Sequence, residues 1–264
     1  MKSLSLLLCL FLLALGGAAA MAQPDAFAHS TQMVVVTTPD WDSVQGHLQR
    51  YERSTSKEPW RAFGESIAIV VGKHGLAWGS GVIATDKPDI RAAADPIKHE
   101  GDGKSPAGVF TLGTAFGYAS QPLSGMKLPY LELTSSIECV DDVNSKHYNR
   151  IVDRASVAPD WNGSEHMRNT GESYRWGIVV DHNNIAGDIA HAPMPGGGSC
   201  IFLHIWQDAS HGTAGCTAMP QSNVEELLRW LDPAWHPLLV QLPVAQYRQL
   251  ERRWKLPSLP EAAH

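Results

Sequence analysis

The sequence is poor in charged residues and contains no cluster of basic side chains. Charged residues make up 18% of its 264 residues, and the 21 Lys and Arg are outnumbered by 27 Asp and Glu, which gives a formal net charge of −6. Nucleic acid binding depends on clustered positive charge against phosphates. The composition therefore argues against nucleic acid as a partner.

Two other absences narrow the fold and the function. The chain has no internal repeat, no low-complexity linker and no break in composition, which predicts a single domain. It also lacks a nucleotide-binding loop. Gly103-Lys104-Ser105 resembles the end of one, but Lys98 stands where the first glycine is needed, and Pro106 follows where free N–H donors are needed.

The first residues of the chain have the pattern of a secretory signal peptide. A single basic residue, Lys2, precedes an apolar stretch from Leu4 to about Gly17, and small residues follow through Ala22. The stretch is too short for a stable membrane anchor. We therefore expect residues 1–22 to be cleaved off and the mature protein to be secreted, into the periplasm if the cell is Gram-negative.

Cysteine is scarce, with four residues in the chain, and one of them, Cys9, lies in the predicted signal peptide. The other three are Cys139, Cys200 and Cys216, an odd number for an oxidising compartment. This count predicts one disulfide and one free thiol. We expect Cys139 to pair with Cys200 and Cys216 to stay free, but the sequence does not determine the connectivity, and the absence of any disulfide stays open.

Short apolar or alternating runs predict a mainly β domain with peripheral helices. The dipeptide Lys73-His74 is expected to join two of the runs as a hairpin. The predicted strands are Met33–Thr38, Ser66–Gly72, Gly75–Gly79, Gly108–Leu112, Tyr130–Leu133, Trp176–Val180, Cys200–Trp206 and Pro237–Leu242.

Helices are predicted near both ends of the domain. Apolar side chains at helical spacing predict a helix over residues 41–53. Ser222 and Glu225 form a capping-box pattern for a helix through Trp230, and a charged helix is expected over 244–255. The expected organisation is an N-terminal strand and helix (23–64) packed on the main domain (65–243), followed by a C-terminal helix or tail (244–264).

Cys216 lies in a turn of small residues, 212–217, that follows the apolar run 200–206. The run predicts a buried strand, which holds His204 close to the turn. A thiol attacks as its thiolate, and a neighbouring imidazole lowers the thiol pKa or takes its proton. Small residues before the cysteine leave the backbone N–H groups of Gly215 and Cys216 open toward an oxyanion. We predict a Cys/His nucleophile site.

Other interpretations of these residues stay open. Cys216 is a structural thiol in an ordinary turn if nothing activates it. His211 is a second candidate base, but His204 is favoured because a predicted strand holds it. His182 and His191, with His204 and Cys216, are zinc-type ligands that would imply metal-assisted hydrolysis, but none form a closely spaced pair, so no metal is expected.

Three stretches of the chain resemble the L,D-transpeptidase catalytic domain, also called the YkuD domain. They are Gly101–Phe110, Ile201–His204 and Thr213–Pro220. The resemblance covers roughly residues 65–243. It is most specific at residues 213–216, Thr-Ala-Gly-Cys, which match the Ser/Thr-x-Gly-Cys element of that family.

The resemblance implies a β-sandwich domain and a cysteine enzyme of the bacterial wall that needs no cofactor. Such enzymes attack the carbonyl between the third and fourth residues of a peptidoglycan stem, release the terminal D-residue and pass the acyl group to an amine on another stem. The resemblance assigns Cys216 as nucleophile, His204 as base and the turn at Gly215 as oxyanion hole. It also implies a carbapenem adduct at Cys216.

The chain departs from the usual family pattern at two positions. Ala214 and Ala218 stand where His and Arg are more usual, so recognition of a substrate carboxylate must come from other residues. The candidate substrate-binding residues are Lys98, Tyr148, Asn149, His211 and Thr213.

Three functions therefore remain. The first is a secreted cysteine transpeptidase that acts on peptidoglycan stem peptides. The second is a cysteine hydrolase of the wall, either an L,D-carboxypeptidase or an amidase. The third is an inert wall-binding module with a structural thiol.

Overall fold

A computed structural model describes residues 27–187 and 192–259. The predicted signal peptide and His191 lie outside these residues. Strands dominate the described chain and two α-helices lie among them, so the prediction of a mainly β single domain with peripheral helices is confirmed. Within the described ranges, no helix has the length and apolarity needed to cross a membrane.

Along the described chain, twelve strands precede the first α-helix, and one more strand lies between the two α-helices near the C-terminal end. The strands are β1 (Gln32–Thr38), β2 (Gln45–Glu52), β3 (Arg61–Val70), β4 (Leu76–Trp78), β5 (Ser105–Gly117), β6 (Tyr130–Glu132), β7 (Ile137–Val140), β8 (Ile151–Asp153), β9 (Ser164–His166), β10 (Trp176–Val180), β11 (Phe202–Ile205), β12 (Thr217–Met219) and β13 (Leu238–Pro243). The helices are α1 (Gln221–Trp230) and α2 (Val244–Trp254), with 3₁₀ helices at Met167–Asn169, Gly171–Tyr174 and Pro233–Trp235.

The main sheet closes on itself. Neighbouring strands run in the order β10, β11, β12, β3, β2, β1, β13, β5 and β4, with β6 also on β5. Because the long strand β5 pairs with both β13 and β10, the path from β10 returns to its start. The predicted β-sandwich is therefore formed by one sheet that curls around its core.

The two α-helices pack on this sheet through one apolar face each. Val224, Leu227 and Leu228 are the buried side chains of α1, and Tyr247 and Leu250 are buried on α2. Helical spacing places each set on one side of its helix, so the opposite side faces solvent. This confirms the expectation of peripheral helices at the C-terminal end of the chain.

The helix predicted over residues 41–53 is wrong, because Gln45–Glu52 form strand β2. Leu48 and Arg50 are both buried on this strand, as period-2 alternation requires. The sequence hides the alternation because a charged residue occupies a core position. The Arg50 guanidinium is buried through an ion pair with Glu226 at 2.7 Å, and this long-range partner cannot be recognised from local spacing.

The hairpin predicted around Lys73-His74 is wrong as well. Strand β3 pairs with β2 and β12, whereas β4 runs parallel to β5. Only an isolated bridge between Gly72 and Gly75 joins the two segments. The chain turns back at Lys73-His74 through this one antiparallel bridge, but β3 and β4 then pair with different strands and form no hairpin ladder.

A disulfide joins Cys139 to Cys200, with a Cα–Cα distance of 6.0 Å. Cys139 lies on β7, the central strand of a separate three-stranded sheet with β8 and β9, and Cys200 lies just before β11. The bond therefore attaches the small sheet to the main sheet at the start of the strand that carries His204. Cys216 is a free cysteine.

Candidate active site

Two adjacent strands bring Cys216 and His204 to one cleft. Strand β11 runs parallel to β12, and His204 lies opposite Ala218, two residues beyond Cys216. Side chains two residues apart on a strand face the same side, so the thiol and the imidazole point the same way. Both line a cleft of about 610 Å³ and are largely buried in its wall, with exposed fractions of 7% for Cys216 and 8% for His204.

Backbone groups at the start of β11 hold the sulfur. The Phe202 N–H donates to Cys216 Sγ at 3.4 Å, and the thiol donates to the Cys200 carbonyl at 3.5 Å. Cys200 has a φ of 56°, in the left-handed region that non-glycine residues rarely adopt. Its disulfide and its unusual backbone conformation thus lie directly beside the candidate nucleophile.

The carbonyl of Cys216 is fixed by two hydroxyl groups. Ser105 Oγ donates to it at 2.8 Å and Thr213 Oγ1 at 2.6 Å. Ser105 Oγ also accepts the Gly72 N–H at 2.8 Å. Ser105, the first residue of β5, is fully buried, so it ties the cysteine turn to the main sheet without contact with solvent.

We expect Ser105→Ala to destabilise the protein. The substitution removes one hydrogen bond to the Cys216 carbonyl and leaves the buried Gly72 N–H without its acceptor, a loss of about 1–3 kcal/mol in free energy of unfolding. Denaturant titration measures it. Ser210→Ala is a matched control, because Ser210 Oγ bonds Asp208 in an exposed position and its loss is expected to change stability by less than about 0.5 kcal/mol. Equal stabilities for the two variants would contradict the assigned role of Ser105.

Burial keeps both candidate catalytic groups neutral. It raises the pKa of the Cys216 thiol to about 12, and Glu165 adds to the rise. Burial lowers the pKa of His204 to about 4. The resting site thus holds a neutral thiol and a neutral imidazole, and not the thiolate of an activated Cys/His pair, because burial disfavours both charged forms.

The hydrogen bonding of His204 identifies its protonated nitrogen. Its Nδ1 lies 2.8 Å from the Ile205 carbonyl, which only accepts, so Nδ1 carries the hydrogen. The other ring nitrogen, Nε2, is therefore the basic one. A neutral imidazole in this tautomer can accept a proton at neutral pH.

One of the two predicted oxyanion donors is already in use. The Gly215 N–H donates to Thr213 Oγ1 at 3.1 Å, within the same turn. Thr213 lines the cleft, but its hydroxyl makes two hydrogen bonds within this turn. It accepts from the Gly215 N–H and donates to the Cys216 carbonyl. The structure therefore corrects the prediction for Gly215 and leaves the Cys216 N–H as the predicted donor.

Both signs of charge line the cleft. Lys98 is 5% exposed and its Nζ contacts Asp102 Oδ1 at 2.5 Å. Its charge is close enough to lower the pKa of Cys216, against the larger effect of burial. Three acidic side chains line the same cleft, namely Glu100, Asp141 and Glu165.

His211 also lines the cleft, but on its exposed rim. Its side chain is 60% exposed and its Nδ1 lies 2.6 Å from Asp208 Oδ2. His211 therefore lies at the surface, whereas His204 is buried in the cleft wall near the sulfur. The geometry favours His204 as the base and leaves His211 as a residue that a substrate meets at the entrance.

Asn149 and Tyr148 hydrogen-bond to residues that line the cleft. Asn149 is fully buried, its Oδ1 accepts the Cys200 N–H at 3.0 Å and its Nδ2 bonds two carbonyls. Tyr148 is 4% exposed and donates to Glu100 Oε2 at 2.6 Å. The structure therefore replaces their predicted substrate contacts with positioning roles, at Cys200 and at a cleft carboxylate.

Sequence reasoning missed Tyr174 and Glu165. Tyr174 is 3% exposed, and burial, the Cys216 sulfur and the Glu165 carboxyl all raise the pKa of its hydroxyl. Both residues line the cleft. Neither lies in a recognisable motif, and each is more than 40 residues from Cys216 in the chain, so no local signal pointed to them.

The described residues hold no group of three or more His, Cys, Asp or Glu side chains arranged to bind a metal ion. His182, a ligand in the alternative zinc interpretation, is buried and its Nε2 lies 3.0 Å from the Gly197 carbonyl. It therefore holds the 194–199 loop. His191 lies outside the described residues.

We expect acid to destabilise the protein through its two buried histidines. Burial lowers the pKa of His182 and of His204 to about 4, below the value of about 6.5 for an unfolded histidine. The unfolded state therefore binds more protons between these values. Stability is present above pH 6.5 and is lost as the pH falls toward 4, by at most about 1.4 kcal/mol per pH unit for each histidine.

Glu165 opposes this loss and supplies the control. Burial raises its pKa from 4.5 to about 7, so the folded state gains a proton, and stability, as the pH falls in the same window. Unfolding titrations at pH 6.5 and 5 should therefore show a steeper loss in Glu165→Gln than in the wild type. A shallower loss in the variant would contradict these assignments.

The comparisons with known proteins give one result. The model of the YkuD family, described as the L,D-transpeptidase catalytic domain, matches residues 60–240. This match spans well over half of the chain and contains both candidate catalytic residues. No curated protein and no solved structure matches the chain.

Proposed function

This chain belongs to the family of L,D-transpeptidase catalytic domains, and we propose that it is a secreted cysteine acyltransferase acting on peptidoglycan stem peptides. Membership supports a peptidoglycan-modifying function of the L,D-transpeptidase type. The finer proposal is that Cys216 forms a thioester with the donor stem. The observation that carries it is the free thiol of Cys216 in a cleft shared with the neutral imidazole of His204.

The proposed reaction has two acyl-transfer steps. In the first, Cys216 Sγ attacks the amide carbonyl between the third and fourth stem residues as its proton passes to His204 Nε2. The Cys216 N–H is the proposed donor to the tetrahedral oxyanion. The C–N bond then breaks, the terminal D-residue leaves with a proton from His204, and a thioester remains.

In the second step, an amine of another stem attacks the thioester carbonyl. His204 takes a proton from the amine and returns one to the sulfur as the C–S bond breaks. The products are a new amide and the free thiol. If water replaces the amine, the same steps release a shortened stem, and the enzyme is a hydrolase.

The charges of the cleft suit a stem peptide. A donor stem ends in a carboxylate, and an acceptor stem offers an amine. Lys98 supplies positive charge beside the sulfur, and Glu100, Asp141 and Glu165 supply negative charge in the same cleft. We propose Lys98 as the partner of the donor carboxylate, in place of the arginine that the chain lacks at Ala218.

The Cys139–Cys200 disulfide supports the proposed location. Disulfides form and persist in oxidising compartments such as the periplasm and the cell exterior. The bond is 2.09 Å long between its sulfur atoms. It agrees with an exported protein and with the signal-peptide pattern at residues 1–22.

The test is incubation of the mature protein with a tetrapeptide stem, followed by mass spectrometry of the products. A cross-linked dimer with loss of the terminal D-residue supports the acyltransferase. A tripeptide without dimer, even with excess acceptor amine, means a hydrolase. Unchanged substrate with intact folded protein, alone or with acceptor, overturns both and leaves a wall-binding module.

We expect a carbapenem to acylate Cys216. Attack of the sulfur on the β-lactam carbonyl opens the ring and adds the whole mass of the drug, because no group leaves. Intact-protein mass spectrometry followed by peptide mapping locates the adduct. Cys216→Ala is the control and should stay unmodified, and an adduct at equal level in this variant would place the reactive group elsewhere.

A further inference from the structure

Tyr174 occupies a fixed position beside both candidate catalytic residues. It ends the 3₁₀ helix Gly171–Tyr174 and is 3% exposed. Its ring lies 5.3 Å from the His204 ring, 5.2 Å from Phe116 and 5.6 Å from Phe202, measured between centroids. Three rings on two strands therefore restrict the orientation of the tyrosine, and with it the position of its hydroxyl.

The Tyr174 hydroxyl has one proton and two candidate acceptors in the cleft. Tyr174, Glu165 and Cys216 line the same cleft, and the Glu165 carboxyl and the Cys216 sulfur both add to the rise in the pKa of the Tyr174 hydroxyl that burial causes. A phenol donates one hydrogen bond at a time, so the carboxylate and the sulfur compete for it. Burial raises the pKa of Tyr174 well above 10, so the hydroxyl keeps its proton at any pH at which the enzyme works.

We propose that Tyr174 is a further catalytic residue, whose hydroxyl donates to the Cys216 sulfur as negative charge develops there, and that Glu165 is a positioning residue that competes for the same proton. The inference rests on the proposed function, because it takes Cys216 as the nucleophile. It gives the buried sulfur a donor besides the Phe202 N–H at 3.4 Å. Charge-assisted hydrogen bonds of this kind are stronger than neutral ones.

The groups around the sulfur explain why a donor is needed. Glu165 faces it from β9, Lys98 from the loop before β5, His204 from β11 and Tyr174 from the 3₁₀ helix. Among them Lys98 favours a thiolate, whereas the Glu165 carboxylate disfavours it. Protonation of Glu165 removes its charge and weakens its hold on the phenol proton, and both changes favour the thiolate.

The test is the rate at which iodoacetamide alkylates Cys216 at pH 8, followed by intact mass. The other two cysteines of the described chain are in the disulfide, so the added mass reports one thiol. Below the thiol pKa this rate follows the thiolate fraction. We expect Tyr174→Phe to slow alkylation by about 10- to 100-fold and Glu165→Gln to speed it by about threefold or more.

The controls separate this role from a structural one. Tyr118→Phe also removes a hydroxyl from the same cluster, one that donates to the Gly171 carbonyl at 2.6 Å, and should leave the alkylation rate within about twofold of the wild type. In the Tyr174→Phe background, Glu165→Gln should give a smaller gain than alone, because the competition for the proton is gone. A packing defect would not move the two single variants in opposite directions.

Wild-type alkylation in folded Tyr174→Phe overturns the proposal, as does slower or unchanged alkylation in Glu165→Gln. The Glu165→Gln result stands even if Tyr174→Phe fails to fold. Alkylation needs no stem peptide, so these outcomes are independent of turnover. A wild type that alkylates as expected but leaves stem peptides unchanged would refute the proposed function alone.

Discussion

Cys216→Ala is expected to lose cleavage of a tetrapeptide stem by a factor of at least about 10⁴. Cys216 carries the only free thiol among the residues that the structure describes, since the two other cysteines there form a disulfide. Removal of its sulfur deletes the atom that we propose forms the thioester. The measurement is product formation by mass spectrometry at equal concentrations of folded protein.

The Cys216→Ala variant should keep its fold. Shortening the buried cysteine side chain to a methyl group leaves a small cavity and costs about 1 kcal/mol of stability. A thermal melt close to that of the wild type would therefore show that the activity is lost without loss of the fold. Cys216→Ser is the matched variant of nearly equal size and should be almost as inactive, because a buried hydroxyl is a far weaker nucleophile. Retention of a tenth of the activity in Cys216→Ala would move the nucleophile to another residue.

His204→Ala is expected to lower kcat/KM by about 10²- to 10⁴-fold. Burial raises the pKa of Cys216 to about 12, so very little thiolate exists at neutral pH without a base. The pKa of His204 is lowered to about 4, so its imidazole is unprotonated at neutral pH and is the base that we propose for the thiol proton. Steady-state kinetics on the stem peptide measures the loss.

His211→Ala discriminates between the two candidate bases. His211 lies on the exposed rim beside Asp208, and its loss should lower kcat/KM by less than about tenfold. A larger loss for His211→Ala than for His204→Ala would reverse the assignment. Because the nucleophile and its base act as a unit, the double variant Cys216→Ala/His204→Ala should be no less active than Cys216→Ala alone.

The candidate nucleophile and base were predictable because they lie in one short segment. Eleven residues separate His204 from Cys216, and an apolar run followed by small residues predicts a strand and a turn without reference to the rest of the chain. Parallel pairing of β11 with β12 then places both side chains on one face. The local pattern was sufficient to bring the two candidate residues together because neighbouring segments of the chain carry them.

The protonation states of that pair were not predictable. The motif of an activated Cys/His pair suggests a lowered thiol pKa, whereas burial in the cleft wall raises the pKa of Cys216 and lowers that of His204. Desolvation depends on every atom that excludes water from the two groups. Those atoms come from distant parts of the chain, among them Tyr174.

Local pattern and long-range contact thus determined different parts of this protein. The sequence alone determined the mainly β class, the two C-terminal helices and the family resemblance, and it proposed the Cys/His pair, because periodicity and motif spacing are local properties. Only the tertiary structure decided that β2 is a strand with a buried arginine, that the sheet closes through β5, and that Tyr174 and Glu165 share the cleft with the sulfur. These features depend on contacts between residues far apart in the chain, whose partners are known only once the chain has folded.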